Sequence, residues 1–245
     1  MANSTSKSGV KKAVAGGSIS QSHTGIQLTG SDGGASGATY SSMDDAQAQG
    51  IISANADTYK DPDFKNAQKL YISDTDVNGD GYSYSQNLNY KLDNGMPLDV
   101  NEKYIDDNIQ FGMHDIGANT TLYRACHDDI LKQCGISDYT KLNDAQLQSR
   151  LIGTEFTTTS YMSTSYNAAK NPFMSGTQSG GREVYMNINA HAGAKMVFGA
   201  KAQSEIVLNK GTNMRITGIR YDGTYATPRG SMRSKPRVVI DIETY

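Results

Sequence analysis

From residue 156 onward, apolar and polar positions alternate with a period of two. Val184, Met186 and Ile188 form one such run, and Val238, Ile240 and Ile242 another. That spacing sets one face of a strand against a core. Residues 156–159, 161–164, 183–188, 195–198, 204–208, 214–221 and 237–242 all read as strands, and the alternation predicts half-buried antiparallel pairing. Before residue 120 the period is helical. Leu88 and Leu92 sit four apart within 85–92, as do Ile105, Ile109 and Met113 within 100–113. Ile51, Ile52, Tyr59, Phe64, Ala67 and Leu70 predict one or two short helices between 44 and 71, the second opened by Pro62 with Asp61 as its cap. Residues 120–124 are β-prone, 125–134 read as a helix stopped by Gly135, and Asn143 with Gln146 forms a capping pair for a helix ending near Gly153.

Helices first and strands later imply an α+β fold rather than a doubly wound sheet. Residues 1–43 hold eight Gly and ten Ser with almost no large apolar side chains. Such a segment cannot offset the entropy of ordering its own backbone, so it is expected to be a flexible tail. One domain is then expected over 44–245, mainly helical to residue 119 and mainly β from 120.

Composition narrows the chemistry. The net charge of −2 gives no global reason to bind a polyanion, although Arg215, Arg220, Arg229, Arg233, Lys235 and Arg237 crowd the C-terminal end. No run approaches 18 apolar residues, so no membrane span is expected. The N-terminal apolar stretch is broken by Gly16, Gly17 and Ser18, a poor signal-peptide core. The expected location is the cytoplasm, or a target cell reached without a cleavable signal. Cys126 and Cys134, read on one helix, would lie ~12 Å apart, too far for a disulfide, so both are expected as free thiols. The histidines have no metal-ligand spacing with them. Asp76, Asn78, Asp80 and Gly81 follow the spacing of a calcium loop, but its twelfth position is Asn87 where an acid belongs. A Gly/Asp-rich turn is therefore expected, with calcium a weak alternative and no metal required.

The chain carries no Gly-x-Gly-x-x-Gly between a strand and a helix and no Gly-x-x-x-x-Gly-Lys-Ser/Thr. It carries instead three short motifs in order: Leu122-Tyr123-Arg124 ending a β-prone run, Tyr161-Met162-Ser163-Thr164-Ser165, and Gln203-Ser204-Glu205 at the head of an apolar strand. On a strand, Gln203 and Glu205 share one face and Ser204 takes the other.

In these motifs, over residues 81–245, the chain resembles the Arg-Ser-Glu class of mono-ADP-ribosyltransferases, the C3-like exoenzymes and binary actin-modifying toxins. The resemblance implies an ADP-ribosyltransferase-type split antiparallel β core with small N-terminal helices. It also implies NAD as substrate, with release of nicotinamide. Arg124 would grip the diphosphate, Ser163 would hydrogen-bond Glu205, and Thr164 and Ser165 would support the backbone around the cofactor. Phe173, in the Gly-rich loop 171–181, would stack on nicotinamide. Glu205 would stabilise the oxocarbenium-like ribose, and Gln203 would read the acceptor. The C3-like branch has an aromatic residue three positions before the Gln; this chain has Ala200 there, with Phe198 displaced. Gln203 in place of Glu favours acceptors other than arginine, on a macromolecule, with protein favoured over nucleic acid and no membrane partner. A nucleobase acceptor, NAD hydrolysis, and a non-catalytic structural or virion protein keeping the fold are the competing readings. The sequence names no neutralising partner.

Overall fold

The computed structural model describes residues 58–73, 76, 79, 81–127, 130–138, 141–167, 183–200, 203–222 and 237–245. The tail at 1–43, the loop at 171–181 with Phe173, and Asn78 and Asp80 of the Gly/Asp turn lie outside them. Of that turn, the Asp76 carboxylate accepts the Gly81 N–H at 2.8 Å, and Asn87 lies inside a helix. Among the described residues no group of three His, Cys, Asp or Glu could hold a metal.

After a 3₁₀ turn at Thr58–Lys60 come three helices: α1 Pro62–Ile72, α2 Tyr84–Asp93 and α3 Val100–Gly112. Each starts where its first free N–H groups find a side chain. The Asp61 carboxylate accepts from Phe64, and Ser83 with Gln86 and Asp99 with Glu102 close reciprocal capping boxes. The expected Asn143–Gln146 box opens a helix at Asp144–Leu151 (here α5) in the same way.

The strands are β1 His114–Asp115, β2 Thr120–His127, β3 Glu155–Thr157, β4 Met162–Ser165, β5 Glu183–Ala190, β6 Lys195–Phe198, β7 Glu205–Leu208, β8 Asn213–Asp222 and β9 Arg237–Thr244. Among the described residues they form one nine-stranded sheet in the order β1-β6-β7-β4-β2-β5-β9-β8-β3. Its two halves meet between β4 and β2 through a single register pair, Tyr123 with Ser165. The fold is thus an α+β core with a split sheet, and the helices α1–α3 pack through Phe64, Tyr71, Leu88, Ile105 and Ile109 onto Tyr161, Val197 and Val207 of the β4–β7–β6 half. The other face of the sheet packs a larger core that includes Leu122, Met186, Ile206 and Ile240.

Two expectations need correction. Residues 125–127 do not open a helix: β2 runs on to His127, paired with β5 at every position from Thr120–Ala190 to His127–Glu183. The helix α4 is only Ile130–Gln133. Cys126 and Cys134 therefore do not share a helix, and the spacing argument against a disulfide falls, although both are buried free thiols. Long-range strand pairing outweighed the local helical preference of Ala125 and Cys126. Secondly, β5 and β9 run parallel, in register from Val184–Val238 to Asn189–Glu243. Their apolar alternation is real, but Tyr185 and Val239 on the opposite face are also fully buried, as central strands of a covered sheet require.

Burial makes this core sensitive to alkali. It pushes the Tyr71 phenol up to about 12 and the Cys134 thiol up to about 12, because neither can ionise without charge entering an apolar interior. Tyr59 and Tyr161 are raised by the same cause. Groups held neutral in the folded state stabilise it below their unfolded pKa values and lose that contribution as pH rises through the folded ones. Thermal melting followed from pH 7 to 12 is expected to fall progressively from about pH 9 to 12; a flat profile to pH 12 would contradict this packing.

Candidate active site

The β4–β7 ladder builds the centre. Ser165 pairs with Glu205, Thr164 with Ile206 and Ser163 with Val207. Residues paired in register share a face, so Ser163, Ser165 and Glu205 look toward the helical layer while Thr164 looks away. Thr164 is buried and its hydroxyl donates to the Ile206 carbonyl at 2.7 Å. The Ser165 hydroxyl donates to the Gln203 carbonyl at 2.8 Å and accepts the Asn167 N–H at 3.1 Å. Both hydroxyls thus fasten backbone.

Gln203 does not share a strand with Glu205. It lies in a turn, and Ser204, with φ of +51°, is the one non-glycine residue of positive φ among those described. This left-handed residue breaks the extended geometry on which alternation depends, so the turn rather than a strand face sets the Gln203 position. Ser204 is fully buried and its hydroxyl oxygen has no partner among the described residues. The turn is closed on Ala200, whose carbonyl accepts the N–H groups of Gln203 at 3.0 Å and Glu205 at 3.2 Å. The Glu205 carboxylate, only 6% exposed as a residue, curls back and accepts the Ala200 N–H at 2.7 Å. It lies directly over Gly199: a Cβ there would fall 2.1 Å from Oε2.

Arg124 comes from β2, across the split. Its Nη1 donates to the Ser163 carbonyl at 2.6 Å and so ties the two halves beside their single register pair. Its Nε is buried without a partner among the described residues. A guanidinium anchored at one corner with a donor left over suits a diphosphate, which takes several N–H groups in a plane.

The helical layer reaches this centre twice. The Tyr59 phenol accepts the Phe198 N–H at 3.0 Å, while Gln68 donates to the Phe198 carbonyl. Phe198 itself is buried against Tyr59 and His114, so it does not offer an exposed aromatic in place of the one missing at Ala200. Burial also holds the His114 imidazole below its usual pKa. Tyr71 comes up from α1, its phenol accepting the Asn89 Nδ2–H at 3.2 Å, with Ser163, Glu205 and Arg124 among its electrostatic neighbours. Sequence reading missed Tyr71, Gly199 and the Ala200 N–H. Tyr71 falls on the apolar stripe of α1 with Phe64 and Ala67, where nothing marks it off from core, and a backbone N–H has no sequence signature.

The family model of the ADP-ribosyltransferase exoenzymes matches residues 65–243, spanning the helical layer and every strand. The chain belongs to this family. As an ADP-ribosyltransferase exoenzyme it uses NAD as the donor of ADP-ribose. No curated protein matches the sequence. Among solved structures, Plx2a, an ADP-ribosyltransferase toxin from Paenibacillus larvae, is 15% identical with a TM-score of 0.55, over 82% of this chain and 96% of that one. C3stau2 from S. aureus, solved with NAD, is 14% identical with a TM-score of 0.51, over 86% and 99%. The C2-I component of the Clostridium botulinum C2 toxin is 20% identical with a TM-score of 0.53, and the exoenzyme matches only 45% of it. At such identities the likeness is one of fold. No helix among the described residues is long and apolar enough to cross a membrane.

Proposed function

We propose that the enzyme transfers ADP-ribose from NAD to a protein, on a side chain other than arginine, using Arg124, Ser163, Gln203 and Glu205. The bond between nicotinamide and the ribose anomeric carbon breaks, and nicotinamide leaves with the electron pair. The acceptor atom then bonds to that carbon and gives up a proton. Glu205 accepts a hydrogen bond from the nicotinamide-side ribose and sets negative charge beside the cationic carbon, charge that exists only near the transition state. Arg124 holds the diphosphate, with Phe173 as the candidate to stack on nicotinamide. Ser163 orients the Glu205 side of the ribose, and Thr164 and Ser165 hold the ladder and the turn beneath it.

The observation that carries this reading is the Glu205 carboxylate, nearly buried yet fixed by a backbone N–H, on the same ladder as Ser163, whose carbonyl anchors an Arg124 guanidinium with a donor left unpaired among the described residues. The acceptor follows from Gln203, whose amide donates and accepts at once and cannot neutralise or deprotonate a guanidinium; an Asn or Gln side chain is its complement. Protein is preferred over nucleic acid because two arginines of the C-terminal basic cluster are already paired. Arg215 meets Glu243 at 2.9 Å and Glu155 at 3.8 Å, and Arg220 meets Asp241 at 2.5 Å. Action in the cytoplasm, whether of the producing cell or of a target cell, fits neighbours that are named as toxins.

The test is incubation with NAD labelled in the ADP-ribose half and a cell lysate, with aliquots then treated by protease or nuclease. Label is expected on protein, lost with protease and mapping to Asn or Gln. Label surviving protease but lost to nuclease would overturn the protein assignment, label on arginine would overturn the reading of Gln203, and label left as free ADP-ribose would make the enzyme a hydrolase.

A further inference from the structure

Glu205 is aimed by a backbone group: the Ala200 N–H holds its Oε2 at 2.7 Å. That N–H follows directly on β6, so its place depends on how the last residues of β6 are held. On the β7 side the ladder holds them, through Val197–Val207, Phe198–Ile206 and the Gly199 N–H donating to the Glu205 carbonyl at 3.0 Å. On the outer side β1 is too short to help. It pairs with β6 at His114–Met196 and Asp115–Lys195, and the residue that would face Phe198 in the same register, Gly112, closes α3 instead. Successive residues of a strand turn their N–H and C=O groups to opposite sides, so Phe198, next to Gly199, presents both of its groups to the edge that β1 leaves open.

Two side chains take the place of the missing strand. The Tyr59 phenol accepts the Phe198 N–H at 3.0 Å, and the Gln68 amide donates to the Phe198 carbonyl. Packing sets both. Phe64 stands one helical turn before Gln68 on the same face of α1. Its ring fills the space beside Gly112, where a Cβ has no room, and Tyr59 meets that ring edge-on at 5.2 Å. Tyr59 also lies against His114 at 5.5 Å and Phe198 at 5.9 Å. The Gln68 bond bears most directly on the site. The Phe198 carbonyl and the Gly199 N–H belong to one planar peptide. With Gln68 on its oxygen and the Glu205 carbonyl on its N–H, that plane is held at both edges. Water could satisfy the carbonyl as well, but a donor carried on a packed helix also fixes its direction. The next peptide carries the Ala200 N–H, and the glycine between the two has no side chain to restrain it.

We propose that Gln68, with Tyr59 beside it, is a positioning residue for Glu205: it fixes the Phe198–Gly199 peptide from the outer edge of β6, and so sets the Ala200 N–H that directs the carboxylate. This rests on the reading of Glu205 given above. Gln68 acts through backbone orientation, so its effect belongs in kcat rather than in the affinity for NAD.

The experiment uses the full chain and follows nicotinamide release. Gln68→Met keeps the length and helix preference of the side chain and removes its donor. It is expected to lower kcat about ten-fold, the effect of one well-placed hydrogen bond, with KM for NAD within about two-fold. In a Glu205→Gln background the same change is expected to cost less than about two-fold, because the charge it positions is gone. Tyr59→Phe, which leaves α1 and the ring contacts in place, is the second probe should Gln68→Met melt too low for assay. It is expected to lower kcat about three-fold and likewise to be silent beside Glu205→Gln. Wild-type kcat in folded Gln68→Met or, in its place, in Tyr59→Phe, a loss confined to KM, or a further loss of about ten-fold on top of Glu205→Gln would each overturn the positioning role while leaving the reading of Glu205 intact. If Glu205→Gln itself turns over at the wild-type rate, the reading of Glu205 fails and the positioning role fails with it.

Discussion

Replacing Glu205 with Gln is expected to lower kcat for nicotinamide release by about 10² to 10³, the loss that follows removal of one electrostatic stabiliser, with little change in melting temperature. The substitution keeps shape. The Gln side-chain oxygen can still accept the Ala200 N–H that now holds Oε2 at 2.7 Å, so the turn from Gly199 to Glu205 keeps its closure. What disappears is charge, which matters only as the ribose carbon becomes cationic. The loss should therefore sit in kcat, with KM for NAD nearly constant. A folded Glu205→Gln protein with near wild-type turnover would remove Glu205 from the chemistry. A loss confined to KM would make it a binding group.

The parts of the fold that could be read from the sequence are those set by local chemistry. The Asp61 cap and the Asn143–Gln146 pair are short-range hydrogen-bond arrangements, and those helices start where such residues stand. The strands around Met186, Ile206 and Ile240 carry enough apolar side chains to announce themselves. Two things were out of reach. The extension of β2 through Cys126 depends on its eight-residue ladder with β5, some sixty residues away in sequence, and a local helical pattern cannot report that. The parallel pairing of β5 with β9 depends on which strands end up in the middle of the sheet, a property of the whole chain.

At the site the division is similar. Arg124, Ser163 and Glu205 could be proposed from the sequence because the order of three motifs is a linear signal. The groups that fasten the turn were not found, because they come from elsewhere in the chain: Tyr59 and Gln68 hold Phe198 at its mouth. The expected sharing of a strand face by Gln203 and Glu205 failed at a single backbone angle, the left-handed Ser204, which any side-chain pattern is blind to. That residue also stores strain: a non-glycine residue at φ of +51°, with a buried hydroxyl that has no partner among the described residues, costs stability and persists because the closure on Ala200 holds it. The turn that presents Gln203 is thus pre-set by the fold before any substrate arrives.

The tightest constraint on that turn is Gly199, and it yields the second large effect. A Cβ at this position would lie 2.1 Å from Glu205 Oε2, 2.4 Å from Cδ and 2.6 Å from Cγ, distances that no real methyl group tolerates. In Gly199→Ala the methyl therefore evicts the carboxylate from its place over the loop and breaks its bond to the Ala200 N–H. The obstructing atoms belong to one side chain that can swing toward solvent, so the backbone can stay where it is and the melting temperature should move by only a few degrees. Catalysis has no such escape, since a stabilising charge displaced by about 1 Å or more forfeits on the order of 10² in rate. Gly199→Ala is thus expected to lower kcat nearly as far as Glu205→Gln does, although residue 199 has no side chain with which to do chemistry. The double variant decides the cause. If the methyl acts only by displacing the carboxylate, Gly199→Ala combined with Glu205→Gln should be close to Glu205→Gln alone in kcat. Full additivity of the two losses would show that Gly199 serves the acceptor side of the loop instead, and wild-type turnover in folded Gly199→Ala would show that Glu205 works from a position other than the one it occupies over Gly199.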